Sequence, residues 1–301
     1  MEASRINAAF SSGTLSAVRR IIADYTALTK PKVQSLLLLT TVATMLIAGD
    51  PSLKLILLTC LGGYLSAGGA GAVNHWYDRD IDVLMERTAD RPVASGRVSP
   101  TAALAFGIAL GALSLIELSI FVNPLAAALS FSGFLGYTLM YTVWLKRSTP
   151  QNIVIGGAAG AVPPLVGWAA VTGSLDLAAL YLFAIVFYWT PPHFWALSLL
   201  MKDEYAKVGV PMMPVVRGET ETRRQIVLYT ILLITLTLLP VAGGLFGVIY
   251  LASAVVLDGI FLALALALQR QATRPAALRL YLYSLGYLAL LFAAMVVDVK
   301  I

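Results

Sequence analysis

The sequence has little charge, one cysteine and few histidines. Only 12% of its 301 residues are charged, whereas a soluble domain has about 25%. The single cysteine, Cys60, excludes a disulfide framework and a cysteine-based metal site. Because 59% of the residues are hydrophobic, a soluble fold of this length has too little interior to hide them. The composition therefore favours a membrane protein.

The hydrophobic residues form runs that are long enough to cross a bilayer, which takes about 20 residues per helix. The sequence predicts nine such helices, near residues 33–49, 53–73, 101–122, 124–145, 152–171, 177–200, 225–243, 245–268 and 277–297. We therefore expect an all-α, polytopic membrane protein. Its transmembrane domain covers residues 33–301 and follows a basic segment at residues 1–32.

Positive charge lies on one side of this predicted layout. If the N-terminus is cytoplasmic, 19 of the 21 Lys and Arg residues fall in cytoplasmic segments. Because cytoplasmic loops are enriched in these residues, we expect that orientation in the cell (inner) membrane. We expect no cleavable signal peptide, and the basic N-terminal segment predicts contact with anionic lipid. The net charge of +5 thus reflects topology and does not indicate nucleic-acid binding.

Two polar stretches, 74–100 and 201–224, lie on the same predicted side. In the first, Asn74, Asp78 and Asp82 follow at intervals of four. A helix would place these three on one face and Asp80 nearly opposite. One amide and two carboxylates suit Mg²⁺, which also coordinates phosphates, and the arginines of the stretch suit phosphate. The pattern favours a Mg²⁺–diphosphate site, although a solvated loop can have the same spacing.

The second polar stretch contains Lys202, Asp203, Glu204 and Lys207. Alone it is typical of a solvated helix end, but with the first stretch it forms a plausible second arm of the Mg²⁺ site. Each stretch follows an unusual span, the second being rich in glycine and the sixth containing two prolines. This similarity indicates a weak internal repeat. Lys146 and Arg147 lie at the same predicted interface, either to bind phosphate or only to anchor the helix.

Four ionisable residues remain in or beside the predicted spans. His193 lies in the sixth span, where an ionisable residue indicates function unless it only hydrogen-bonds a neighbouring helix. His75 lies at a helix end and could be interfacial. Both are candidate ligands of haem iron. Glu117 and Asp258 are expected to pair within the bundle.

The stretch NHWYDRDID at 74–82 resembles the N-x-x-x-D-x-x-x-D motif of the UbiA superfamily of intramembrane prenyltransferases. The stretches at 25–33, 86–100, 141–173 and 189–216 are similar to its protohaem IX farnesyltransferase (haem O synthase) branch. The resemblance extends from about residue 24 to the last span. It implies nine helices around a central cavity. It also implies transfer of a farnesyl group from farnesyl diphosphate to a vinyl carbon of haem B, giving haem O.

By this resemblance, Asn74, Asp78 and Asp82 hold Mg²⁺ and the diphosphate, with Asp203 and Glu204 as the second arm. The implied substrate-binding residues are Arg87, Arg91, Lys146 and Arg147 for phosphate and His193 for haem, with His75, Lys202 and Lys207 as further candidates. One position departs from the pattern. The second arm usually ends in Asp-Tyr, whereas this chain has Glu204-Tyr205, whose carboxylate reaches one methylene further.

Two other functions fit parts of the sequence. One is prenyl transfer to a quinone precursor within the same superfamily, and the other is transport of an anionic lipid or metabolite. His193 and the stretch 141–173 favour haem as the acceptor, and a transporter does not need three oxygen ligands on one helical face. The expected partners are farnesyl diphosphate, haem B and membrane lipid. A haem A synthase or a terminal oxidase is a candidate downstream partner.

Overall fold

A computed structural model of the chain describes residues 17–301, in which all regular structure is helical. The basic segment predicted at 1–32 is thus described only from residue 17, and its first 16 residues lie outside the described part. Residues 17–28 form helix α1, which exposes the basic Arg19 and Arg20 beside the apolar Ile21 and Ile22. This mixture of exposed side chains agrees with the partly amphipathic character of the sequence.

Nine helices between residues 17 and 301 are long and apolar enough to cross a bilayer, as the sequence predicts. The fourth of them begins as an α-helix, continues as a π-helix (Gly136–Trp144) and ends in a 3₁₀ turn (Leu145–Arg147). Three further helices after residue 30 are short. In chain order the helices are α2 (Pro31–Ala48), α3 (Leu53–Tyr77), α4 (Arg79–Asp82), α5 (Pro100–Phe121), α6 (Pro124–Leu135), α7 (Asn152–Thr172), α8 (Leu177–Leu200), α9 (Lys202–Lys207), α10 (Met213–Val216), α11 (Gly218–Ala242), α12 (Val248–Gln271) and α13 (Arg274–Lys300).

Local sequence fixes many of the helix starts. The side chains of Ser52, Ser99, Asn123 and Asp176 each accept a hydrogen bond from a backbone N–H in the first turn of α3, α5, α6 and α8, which is the usual role of these residue types. The start of α11 differs most from its prediction at residue 225. The helix begins at Gly218. The prediction missed this start because the first two turns of the helix are polar and lie outside the hydrophobic run.

The long helices form two four-helix groups and one further helix. In the first group α3, α5, α6 and α7 pack in chain order, and α7 returns to contact α3. In the second group α8, α11, α12 and α13 do the same, and α13 returns to contact α8. Helix α2 contacts α3, α7 and α13, and α7 contacts α8. The helices α3 and α8 therefore take equivalent places, as the weak internal repeat indicates.

Glycines allow α3 and α5 to meet backbone to backbone. A Cβ atom added to Gly69 would lie 2.6 Å from the carbonyl oxygen of Gly107, and one added to Gly107 would lie 2.8 Å from that of Gly69. Only glycine fits both positions at this separation. Small residues at helix contacts are a general means of packing in lipid, and this contact accounts for part of the glycine content of α3.

The two acidic residues within predicted spans differ in their surroundings. Asp258 pairs as expected, because it accepts hydrogen bonds from Thr237 Oγ1 and Tyr287 OH, both at 2.6 Å. The expectation is wrong for Glu117, whose two buried carboxyl oxygens have no hydrogen-bond partner among residues 17–301. It lies against Gly62 of α3, which has no side chain to donate a hydrogen bond.

Candidate active site

The three oxygen-bearing residues of the first polar stretch lie together at the junction of α3 and α4. Although α3 ends at Tyr77, the backbone amides of Asp78 and Asp82 donate to the carbonyl oxygens of Asn74 and Asp78, respectively. This bonding keeps the helical spacing across the junction. The side chains of Asn74, Asp78 and Asp82 are all buried, and Asn74 Nδ2 donates to Asp78 Oδ2 at 2.7 Å. Asp80 is exposed on another side, as the spacing predicts.

Each of these three residues contacts at least one cationic side chain. Arg91 donates from Nη1 to both carboxyl oxygens of Asp82, at 2.9 and 2.7 Å. Lys146 forms a hydrogen-bonded ion pair with Asp78. The third contact is from Lys30 Nζ to the amide oxygen of Asn74, at 2.6 Å. Buried carboxylates are costly unless such partners compensate them. We call these six residues, Lys30, Asn74, Asp78, Asp82, Arg91 and Lys146, the Asn74 cluster.

Lys30 is not among the predicted site residues, because the prediction assigned it to the membrane surface with the rest of the basic segment. It lies in the link between α1 and α2 in the left-handed region, at φ 53° and ψ 56°, which is uncommon for a residue with a side chain. Burial, together with the positive charges of Arg91 and Lys146, lowers the pKa of Lys30 to about 7. Because these three positive charges repel one another, an anion bound among them would stabilise their charged forms.

The π-helix supplies two further polar contacts to the cluster. Thr142 accepts a hydrogen bond from Asn74 Nδ2 at 3.2 Å, which fixes the Asn74 amide so that its oxygen faces Lys30. Tyr137 OH lies 3.4 Å from Lys30 Nζ. A π-helix within an α-helix often occurs at a functional site. Residues 136–144 contain no proline and no other evident signal of this irregularity.

Arg147, a predicted phosphate ligand, lies at the edge of the cluster. Its guanidinium donates two hydrogen bonds of 2.7 Å to the exposed Asp80 and lies 4.8 Å from the centre of the Tyr77 ring. Its contact with Asp78 is longer, at 3.5 Å. The ion pair holds the pKa of Asp80 below its usual range. In this structure the shortest contacts of Arg147 therefore connect α4 with the 3₁₀ turn that follows the π-helix.

The second polar stretch meets the first through Arg87. Burial raises the pKa of Tyr205 in α9, and the neighbouring guanidinium of Arg87 partly opposes this rise. The neighbouring Glu204 has a buried carboxyl oxygen, Oε2, without a hydrogen-bond partner among residues 17–301. A carboxylate oxygen without a hydrogen-bond donor is suited to a cation, although Glu204 is not part of the Asn74 cluster.

The other predicted residues of the second stretch do not join the cluster. Lys202 pairs with Glu219 of α11 at 3.0 Å, while Asp203 and Lys207 are exposed. Among residues 17–301, no three His, Cys, Asp or Glu side chains converge into a ready-made metal site. The oxygen donors of Asn74, Asp78 and Asp82 nevertheless fit Mg²⁺, which takes one or two carboxylates and completes its shell with phosphate and water.

The two histidines have different surroundings. His193 on α8 is held by a hydrogen bond between its Nδ1 and Ser284 Oγ, at 2.7 Å. Its ring lies between those of Trp189 and Tyr281, with centres 4.3 and 5.0 Å away. His75 is buried beside the Asn74 cluster, and its Nδ1 has no hydrogen-bond partner among residues 17–301. His193 is therefore fixed in orientation, as a histidine ligand of a metal usually is.

A cavity of about 190 Å³ opens next to the Asn74 cluster. It lies between α2, α3, α6 and α7, and Lys30 and Tyr137 line it. Along α2 it extends from Lys30 to Thr41, roughly 16 Å at 1.5 Å per residue. Among residues 17–301, no lining residue comes from α5, α8, α11, α12 or α13, so the cavity does not lie among all nine long helices. Its apolar lining includes Val33, Leu37, Leu38, Ala67, Phe134 and Val162.

Comparison with known proteins gives the family. Residues 37–293 match the model of the UbiA prenyltransferase family. The chain belongs to the UbiA prenyltransferase family. A relative from Symbiobacterium thermophilum, named protoheme IX farnesyltransferase, is 51% identical over 93% of this chain and 95% of its own length. The relative of that name from Chloroflexus aurantiacus is 57% identical over 93% of this chain but only 48% of its own length. The chain thus spans about half the length of several UbiA relatives that it matches.

Solved structures of UbiA proteins have the same fold. A structure of digeranylgeranylglyceryl phosphate synthase has a TM-score of 0.77 at 19% identity and covers 93% of this chain and 99% of its own. A UbiA homologue from Archaeoglobus fulgidus bound to GPP and Mg²⁺ has a TM-score of 0.66 at 18% identity, over 90% of this chain and 99% of its own. At these identities the likeness establishes the fold.

Proposed function

We propose that this chain transfers a farnesyl group from farnesyl diphosphate to a vinyl group of haem B (protohaem IX), giving haem O, with Mg²⁺ as cofactor. The relatives that share the name protoheme IX farnesyltransferase support this proposal, above all the one that the chain covers almost completely. A UbiA homologue of the same fold binds GPP and Mg²⁺, which supports a prenyl diphosphate as donor.

One structural observation carries the proposal: a buried set of oxygen donors and cations lies at the end of an apolar cavity. The chemistry of this arrangement matches the two parts of a prenyl diphosphate. Asn74, Asp78 and Asp82 would hold Mg²⁺, and Arg91 and Lys146 would hold phosphate oxygens. The cavity along α2 would take the prenyl chain, which has no polar group to satisfy.

The surroundings of the diphosphate decide the first step. The bond between the diphosphate oxygen and C1 of the farnesyl group breaks, and its electron pair leaves with the diphosphate. Mg²⁺, when bound, supplies positive charge that stabilises the departing group. The chain's own cations, Lys146, Arg91 and Arg87, would add to this stabilisation, which is strong in a site that excludes water.

The second step joins the two substrates. The vinyl π electrons of haem B form a carbon–carbon bond with C1 of the farnesyl cation. Water then adds to the resulting haem cation and releases a proton, which leaves the hydroxyl group of the product. The apolar cavity would keep water from the farnesyl cation before the vinyl group reaches it. His193, fixed by Ser284, would hold the haem through its remaining ring nitrogen.

The placement in the cell forms part of the same proposal. The distribution of Lys and Arg supports a cytoplasmic N-terminus in the cell (inner) membrane, with the loops 74–100 and 201–224 facing the cytoplasm. Residues 33–301 would then act as one transmembrane domain. Both substrates are lipophilic and can enter from the bilayer. A haem A synthase or a terminal oxidase is a candidate to receive the product.

The direct test incubates the purified chain in lipid nanodiscs with haem B, farnesyl diphosphate and Mg²⁺, and analyses the pigments by mass spectrometry. We expect haem O to form and to depend on all three additions. Parallel reactions should contain a quinone precursor in place of haem B. If the folded protein farnesylates only the quinone precursor, or neither acceptor, the proposed function is wrong.

A further inference from the structure

Lys30 belongs to both parts of the proposed site. Its ammonium group contacts the Asn74 amide oxygen at 2.6 Å, and its side chain also lines the apolar cavity. The other cations that contact the oxygen donors are Arg91, Lys146 and Arg147, and none of these three lines the cavity. Lys30 therefore lies where the charged head and the apolar chain of a prenyl diphosphate would meet.

The backbone holds Lys30 in this position against a conformational preference. A left-handed conformation is unfavourable for a residue other than glycine, and it persists only where the surroundings enforce it. The neighbouring Thr29 provides this constraint. Its carbonyl oxygen accepts a hydrogen bond of 2.5 Å from Gln34 Nε2, and its hydroxyl lies 2.9 Å from Tyr64 OH.

Lys30 and a metal ion would compete for the same oxygen. Mg²⁺ binds oxygen at about 2.1 Å, and Lys30 Nζ lies 2.6 Å from Asn74 Oδ1. Two cations bound side by side to one amide oxygen repel each other strongly. A metal ion at Asn74 would therefore displace the ammonium group, which then needs another hydrogen-bond acceptor. A diphosphate bound to that metal ion would supply such an acceptor and a negative charge.

We propose that Lys30 is an exchanging cation that binds Asn74 in the ligand-free protein and moves to the diphosphate when metal and prenyl diphosphate bind together. This inference rests on the proposed function, because it requires a diphosphate in the site. The exchange makes the two ligands cooperative. Mg²⁺ alone must displace Lys30 without compensation, whereas Mg²⁺ with diphosphate gives Lys30 a new partner.

The test compares Lys30→Met with the wild-type chain by isothermal titration in nanodiscs. Methionine removes the charge and keeps most of the length. In the variant we expect Mg²⁺ alone to bind at least about threefold more tightly, because the competing cation is gone. We expect farnesyl thiodiphosphate with Mg²⁺ to bind about 10- to 100-fold more weakly, as for the loss of one charged hydrogen bond.

The matched control is Lys32→Met, an exposed lysine in the same basic segment, which should bind both ligands as the wild type does. A wild-type measurement adds a test that needs no variant: inorganic diphosphate should raise the affinity for Mg²⁺ by about tenfold or more.

Three results have distinct meanings. If the wild type binds no farnesyl thiodiphosphate with Mg²⁺, the proposed function fails. If the wild type binds it and Lys30→Met binds it equally well, only the role of Lys30 is refuted. The exchange is also refuted if Lys30→Met binds Mg²⁺ alone as tightly as the wild type does, or more weakly. A lysine with a purely structural role would not compete with the metal ion for Asn74.

Discussion

The buried carboxylates of Asp78 and Asp258 each lie within a group of polar side chains in this bundle. Among residues 17–301, Asp258 accepts hydrogen bonds only from hydroxyl groups, those of Thr237 and Tyr287, and these three residues join α11, α12 and α13. Asp78 instead contacts Lys146 and the Asn74 amide next to an apolar cavity. The comparison shows that burial of a carboxylate does not by itself indicate a site. The group around Asp78 has neighbouring cations and an adjacent cavity, as a ligand-binding site requires. The group around Asp258 has hydroxyl partners that link three helices.

The largest effect that separates the two groups is expected from Asp78→Asn. The variant keeps the shape of the side chain but loses the charge that would hold Mg²⁺, so turnover should fall by about 1,000-fold, or roughly 4 kcal/mol of transition-state stabilisation. Thermal unfolding in nanodiscs should show a folded protein. The measurement is the initial rate of haem O formation.

The control for Asp78→Asn is Glu86→Gln, which removes an exposed carboxylate from the same polar stretch. Its turnover should stay within about threefold of the wild type, as expected for a surface substitution. Equal losses in both variants would mean that the overall charge of the stretch matters and that the buried cluster has no special role.

A smaller effect, and one on stability, is expected from Asp258→Ala. This variant leaves the buried hydroxyl group of Tyr287 without its acceptor, which costs about 1–3 kcal/mol. The thermal midpoint should fall, while turnover per folded molecule stays within about threefold of the wild type.

Glu117→Ala provides the contrast to Asp258→Ala, because the Glu117 carboxyl oxygens have no hydrogen-bond partner among residues 17–301. Its thermal midpoint should be unchanged or higher. If Asp258→Ala instead removed turnover from fully folded protein, the second group would have to be counted as part of the site.

The fold could be predicted from the sequence because lipid imposes strict requirements on it. Every spanning segment needs about 20 apolar residues in a helix, and all nine predicted spans are confirmed. Boundaries were less accurate where helices continue into polar sequence, as at Gly218 of α11. The π-helix at Gly136–Trp144 could not be predicted, because its hydrogen-bond pattern depends on packing against α3 and α7.

The candidate site was only partly predictable. The spacing of Asn74, Asp78 and Asp82 is local, so the sequence indicated that their side chains share one face. Lys30 lies 44 positions from its partner Asn74, and that contact depends on how α2 meets α3. Lys202 illustrates the converse, since its charge suggested phosphate binding but its partner is Glu219 of α11.

The central claim is that the Asn74 cluster holds the metal ion and the diphosphate. The most direct measurement is a crystal structure of the chain with Mn²⁺ in place of Mg²⁺ and with farnesyl thiodiphosphate, in which anomalous scattering locates the metal. We expect a metal peak within about 2.5 Å of carboxyl oxygens of Asp78 or Asp82, with the diphosphate on the same ion and the prenyl chain in the cavity along α2. A metal ion bound only by Asp203 and Glu204, or a diphosphate bound away from Asn74, would contradict the account.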